Sequence, residues 1–166
     1  MSSSVQPELV VADASPIHYL VLIGAVDVLP KMFAKVIIPS VVANVELQNV
    51  KTPEPVRKWV SNLPPWAEIR NPLETESLGL DPGEEQAIAL ALELKAPVLL
   101  DEKDARRVAK DKGLRFIGTI GVLDRAAAKG LLDLRDAIIK LEETNFHLSR
   151  SLSDASKRVT SKPRDG

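Results

Sequence analysis

The 166-residue chain contains no cysteine and only two histidines, His18 and His147. The first absence excludes disulfides, zinc–thiolate centres and a thiol nucleophile. The second leaves little from which to build an imidazole site. Any metal would therefore be held by oxygen, which favours hard cations such as Mg²⁺ or Mn²⁺. Aromatic residues are scarce as well, at three Phe, two Trp and one Tyr. That supply does not suit a base-stacking platform of the RRM or OB kind, and Trp59 and Trp66 are expected to pack instead. Long apolar runs are also missing. The best one, residues 17–29, is interrupted by His18, Gly24 and Asp27 and falls short of the roughly 20 residues a bilayer helix needs. The N-terminal MSSSVQPELVV has neither the basic nor the apolar segment of a signal peptide. The expectation is a cytoplasmic protein without membrane contact.

Nor is there a charge excess: the formal net charge is −1. Its distribution is uneven, however. Between Asp101 and Lys129 eight Lys or Arg stand against five Asp or Glu. The segment after Phe146 adds Arg150, Lys157, Arg158, Lys162 and Arg164. Such clusters can contact phosphates, with Arg106 and Arg107 as candidates for nucleic-acid binding, although a charge run is also what a solvated helix face looks like.

What is present is an alternation of short β-branched runs with helical patterns, the signature of βαβ units and a parallel sheet. Strands are expected at residues 9–12, 35–38, 67–70, 97–100 and 114–117. Helices are expected at 17–28, from Pro39-Ser40 to about Leu47, and at 55–61, 82–94, 103–112, 119–129 and 134–143. Ser15-Pro16 reads as an N-cap followed by proline at the first helical position. The reading is a three-layer α/β/α domain over residues 1–146 with a central, mostly parallel sheet. A basic, serine-rich and partly disordered tail follows over residues 147–166.

Two acids, Asp13 and Asp101, directly follow the most apolar strands. In open parallel sheets ligands bind beyond the carboxyl ends of the strands, so acids there would face one another if the strands are neighbours. Asp13 has no evident structural duty, because Ser15 is better placed to cap. Asp101 could instead cap the helix that carries Asp104. Glu84 lies on the inward stripe of its helix with Ala87, Ile88 and Ala91, yet Asp81-Pro82-Gly83-Glu84 also has the spacing of a capping box. Glu46 sits at the flank of the stripe formed by Val41, Val42 and Val45, where a glutamate is ordinarily just solvated.

At these four positions the chain resembles the PIN-domain family of metal-dependent ribonucleases, above all the prokaryotic branch related to toxin nucleases of toxin–antitoxin pairs. The matching pieces are VVADASPIHYL at 10–20, VIIPSVVANVEL at 36–47, LDPGEEQAIALALEL at 80–94 and the run at 98–130. The resemblance implies Asp13, Glu46, Glu84 and Asp101 as catalytic, metal-holding acids, with Asp104 sharing the fourth place. It also implies Ser15 and Thr119 as supporting hydroxyls. The sequence departs from the commonest toxin pattern, which has Thr or Asn near 101 and a separate Asp beyond. The implied activity is Mg²⁺- or Mn²⁺-dependent hydrolysis of RNA phosphodiesters by an in-line route that needs no histidine. Homodimerisation and a cognate antitoxin are implied as partners. Two rival readings exist: a PIN-like module that binds nucleic acid or protein without catalysis, and a signalling receiver domain. The receiver would normally show paired acids after its first strand and a late lysine, whereas Asp13 stands alone and Gly118-Thr119 follows the late strand.

Overall fold

The computed structural model describes residues 8–146, so the tail expected at 147–166 lies outside the described residues. Five strands form one sheet: β1 (Leu9–Ala12), β2 (Lys35–Pro39), β3 (Ala67–Arg70), β4 (Val98–Leu99) and β5 (Phe116–Ile117). Every pairing is parallel and the order is β3-β2-β1-β4-β5. The central strands are covered on both faces, whereas the edge strand β3 has no fully buried residue.

Side-chain alternation along these strands sorts the interior into two layers. Val10 and Ala12 of β1, Val36 and Ile38 of β2, Leu99 and Ile117 point to one face. There they meet α1 (Ala14–Leu22), α2 (Glu54–Ser61), α5 (Thr119–Ala128) and α6 (Leu134–Glu142) through Leu20, Val56, Leu123 and Leu141. Val11, Ile37, Val98 and Leu100 point the other way, onto α3 (Pro82–Leu94) and α4 (Lys103–Asp111) through Ile88, Ala91, Ala105 and Ala109. The sheet therefore has helices on both sides, as the alternation of patterns predicts. Trp59 and Trp66 pack against the first layer with ring centroids 5.8 Å apart. Among the described residues no helix is long and apolar enough to cross a membrane.

Three local expectations are corrected. The helix anticipated at 17–28 stops at Leu22, because Gly24 takes a left-handed conformation at φ 74° that ends it, and residues Val26–Lys31 form a 3₁₀ helix instead. Its start is earlier than Ser15-Pro16 suggested. The N-cap position falls on Asp13, whose side chain makes no capping bond, and Ser15 lies inside the first turn. The helix after Pro39 contains a π-helical turn over Val42–Glu46, closed by the Leu47 amide on the Val42 carbonyl at 2.9 Å. Insertions of this kind often mark functional positions, since they rotate the residues that follow.

Leu99 is fully buried between the sheet and the α1 layer. Leu99→Ala is expected to cost about 2–5 kcal/mol in chemical denaturation. Leu73→Ala, at a position 90% exposed, should change stability by less than about 0.5 kcal/mol.

Candidate metal centre

Strand order decides which acids meet. β1 and β4 are hydrogen-bonded neighbours, and the Asp13 amide donates to the Leu99 carbonyl at 3.1 Å. The chain thus leaves the two central strands side by side, at Asp13 and at Leu100-Asp101. Beyond β2, on the other flank of β1, the π-turn supplies Glu46. The N-terminus of α3 supplies Asp81 and Glu84.

Carboxylate oxygens of Asp13, Glu46 and Asp81 lie within 4.8 Å of one another, the one such grouping of possible metal ligands among the described residues. Asp13 is 6% exposed, and its Oδ1 is buried without a hydrogen-bond partner. Burial pushes its carboxyl well above the ordinary range; the charges of Asp81, Glu46 and Glu84 add to this, while the Ala14 amide pulls the other way. Glu46 is raised by burial and by Asp81, against a hydrogen bond from the Gly83 amide. Glu84, 5% exposed, is raised to about 7 by burial first and then by Asp81, with Glu102 and Glu46 adding smaller pushes. Asp13 and Glu84 are buried, Glu46 is half-buried and Asp81 is exposed. Carboxylates that repel one another, one with a buried and orphaned oxygen, form a donor set suited to a divalent cation. Hard oxygen-only donors suit Mg²⁺ or Mn²⁺.

Glu84 takes part in the helix cap and also lies among the clustered acids. The capping box is present: Asp81 Oδ1 accepts from the Glu84 amide at 2.8 Å, and Glu84 Oε1 accepts from the Asp81 amide at 3.3 Å. The same carboxyl nevertheless feels the clustered charge. Glu46, which flank position alone would leave solvated, is half-buried because its carboxylate lies directly on Gly83. A Cβ added there would stand 2.7 Å from Oε2 and 2.8 Å from Cδ of Glu46. Only glycine lets the carboxylate reach the α3 N-terminus, where backbone N–H groups and the helix dipole favour an anion. Asp81 itself was missed as a candidate ligand, since its place in Asp-Pro-Gly-Glu accounted for it fully as a cap. The legible signal was the doubling of acids within one box at the end of a buried helix.

Asp101 sits beside this cluster in a network of its own. Its Oδ2 accepts from Ser15 Oγ at 2.6 Å and from Thr119 Oγ1 at 2.7 Å, and its Oδ1 accepts from the Thr119 amide at 2.7 Å. It thereby caps the start of α5, not the start of α4. Gly118 makes room for it, since a Cβ there would come within 3.2 Å of Oδ1. The side chains of Ser15 and Thr119 thus both donate to Asp101. Asp104 is exposed on α4 and paired with Arg107, outside the clustered acids. An exposed carboxylate with a cation three residues along its own helix face is satisfied locally. Arg106 leans over the Phe116 ring at 6.0 Å, near Gly118 and Asp101, so it lies closer to the site than Arg107. His18 is half-buried on α1, tilted against Tyr19 at 4.5 Å, with no part in the cluster.

Fold and site together define a parallel α/β protein whose strand ends gather acids suited to a divalent cation. The chain belongs to the PIN-domain family: the family model described as a PIN domain matches residues 9–162. Members of that family are usually metal-dependent nucleases. No curated protein matches the chain in sequence. Among solved structures it is similar to a PilT N-terminus domain protein from the hyperthermophilic archaeon Sulfolobus solfataricus P2. That similarity has 16% identity and a TM-score of 0.47, over 84% of this chain and 98% of the other.

Two outcomes follow from the geometry. Raised carboxyl groups hold protons more tightly folded than unfolded, so their contribution is intact below about pH 4.5 and lost as pH rises through the folded value, about 7 for Glu84. Metal-free protein should therefore melt at a lower temperature at pH 8 than at pH 5, and saturating Mn²⁺ should flatten the difference. Glu8, Glu68 and Glu85, all lowered by hydrogen bonds, act below that window. Separately, Gly83→Ala should weaken Mn²⁺ binding by calorimetry, about tenfold, because the Glu46 carboxylate must move.

Proposed function

We propose that this protein is a Mg²⁺- or Mn²⁺-dependent endoribonuclease, and that it acts as the toxin of a toxin–antitoxin pair. The observation that carries the catalytic reading is the orphaned, buried Oδ1 of Asp13 within a group of three acids at the sheet's carboxyl edge. Asp13 and Glu46 hold the cation, with Glu84 facing the same centre from the first turn of α3. When bound, the ion supplies charge neutralisation at the phosphoryl oxygens and lowers the pKa of water for in-line attack.

The protein's own groups supply the rest. Glu84, raised to about 7, is able to take up or release a proton near neutrality. Ser15 and Thr119 hold Asp101, and with it the starts of α1 and α5, in one arrangement. Arg106 is placed for a substrate phosphate, with a planar guanidinium that pairs well with phosphate oxygens. Arg107, tied to Asp104, is the weaker contact. The choice of RNA as substrate, a homodimeric assembly and neutralisation by an antitoxin are supported by the resemblance of the motifs at 10–20, 36–47, 80–94 and 98–130. A cytoplasmic location agrees with that role.

Purified protein should cleave a single-stranded oligoribonucleotide in Mn²⁺ or Mg²⁺ and lose that activity in EDTA. Asp13→Asn should fall to the level of the EDTA control. Cleavage that survives in the variant, or that never appears while Mn²⁺ binds, would contradict the catalytic reading and leave a binding module.

A further inference from the structure

The acids at the strand ends differ in how many of their oxygens are spoken for. Asp101 Oδ2 receives two hydroxyl hydrogen bonds and Oδ1 receives the Thr119 amide. Asp13 Oδ1 receives nothing, although its residue is nearly fully buried. Asp81 receives one bond, from the Glu84 amide, and that bond uses Oδ1. It also lies within 4.8 Å of the Asp13 and Glu46 oxygens, whereas Asp101 is outside that group.

Building on the metal-dependent reading above, we infer that Asp81 is a direct ligand of the cation, and that Asp101 is a positioning residue. On this assignment Asp81 works at two points at once: Oδ1 caps α3 and the other oxygen faces the ion. Glu46 does likewise, resting on the Gly83 amide of the same helix end. The cation is then bracketed between Asp13 at the end of β1 and two acids fastened to the α3 N-terminus. Anchoring of this kind fixes ligand direction and reduces the entropy lost on binding. Asp101 contributes differently. Through Ser15, two residues beyond Asp13 in the first turn of α1, it sets the path of the chain that aims Asp13; through Thr119 it ties that turn to α5.

The test separates ligand loss from lost positioning by titrating Mn²⁺ into the whole protein by calorimetry and assaying oligoribonucleotide cleavage in parallel. Asp81→Asn keeps an oxygen for the cap and removes the charge. Its Mn²⁺ affinity should fall roughly tenfold or more, with the melting temperature of the metal-free protein unchanged or higher. Asp81→Ser, which also caps well, provides the same comparison if the first variant does not fold. Asp101→Asn should lose less Mn²⁺ affinity than either Asp81 variant; at saturating Mn²⁺ its kcat should drop while KM for the oligonucleotide holds. Near-wild-type Mn²⁺ affinity in both Asp81 variants would overturn the ligand assignment. An equal loss of affinity in Asp101→Asn would overturn the positioning role. If the unmodified protein bound no Mn²⁺, this inference would fall with the metal-dependent reading. If it bound Mn²⁺ through Asp81 without cleaving RNA, only the catalytic reading would fall.

Discussion

The repulsion among Asp13, Glu46, Asp81 and Glu84 is the constraint around which the carboxyl edge of the sheet is arranged. Like charges brought together in a place poor in water cost free energy, and here burial and mutual repulsion raise three of the carboxyls. The protein offsets part of this at the start of α3, where the Gly83 amide meets Glu46 and the capping box engages Asp81 and Glu84. Asp13 has no comparable relief for Oδ1. A protein selected only for stability would place an apolar residue there. A nearly fully buried carboxylate with an unsatisfied oxygen is locally destabilising, an arrangement that clusters at functional sites.

The rest of the fold makes that concentration possible. Parallel pairing of β2, β1 and β4 delivers three chain segments, far apart in sequence, to one edge of the sheet. Fully apolar layers on both faces hold those strands rigidly. The π-turn after β2 and the glycine at position 83 then make the fine adjustment for Glu46. Next to the cluster, the bonds among Ser15, Asp101 and Thr119 join two helix starts across the central strands. Two acidic devices therefore share one edge, one with unsatisfied oxygens and one with satisfied oxygens. The difference between them lies in hydrogen bonding, not in residue type.

Much of this was legible in the chain. The parallel α/β architecture followed from the alternation of short apolar runs with helical stripes, because that pattern can be buried only by a sheet covered on both faces. Asp13 could be picked out because it directly follows an apolar strand while Ser15 looked better placed to cap the next helix. The motifs around Asp13, Glu46 and Glu84 resembled those of the PIN-domain family, to which the family match over residues 9–162 assigns the chain. Helix boundaries were less secure. The end of α1 at Gly24 and the π-turn at Val42–Glu46 both depend on backbone geometry that periodicity does not record.

Sequence alone determined the class of fold, the oxygen-only chemistry and a short set of candidate acids, because these depend on composition and on the local spacing of apolar residues. Only the tertiary structure decided which acids meet. Asp81 joins Asp13 and Glu46, Asp101 turns to Ser15 and Thr119, and Asp104 stays with Arg107 at the surface. The reason is physical: proximity between residues far apart in the chain is set by strand order and helix placement, and hydrogen-bond satisfaction by neighbours that spacing along one chain cannot name.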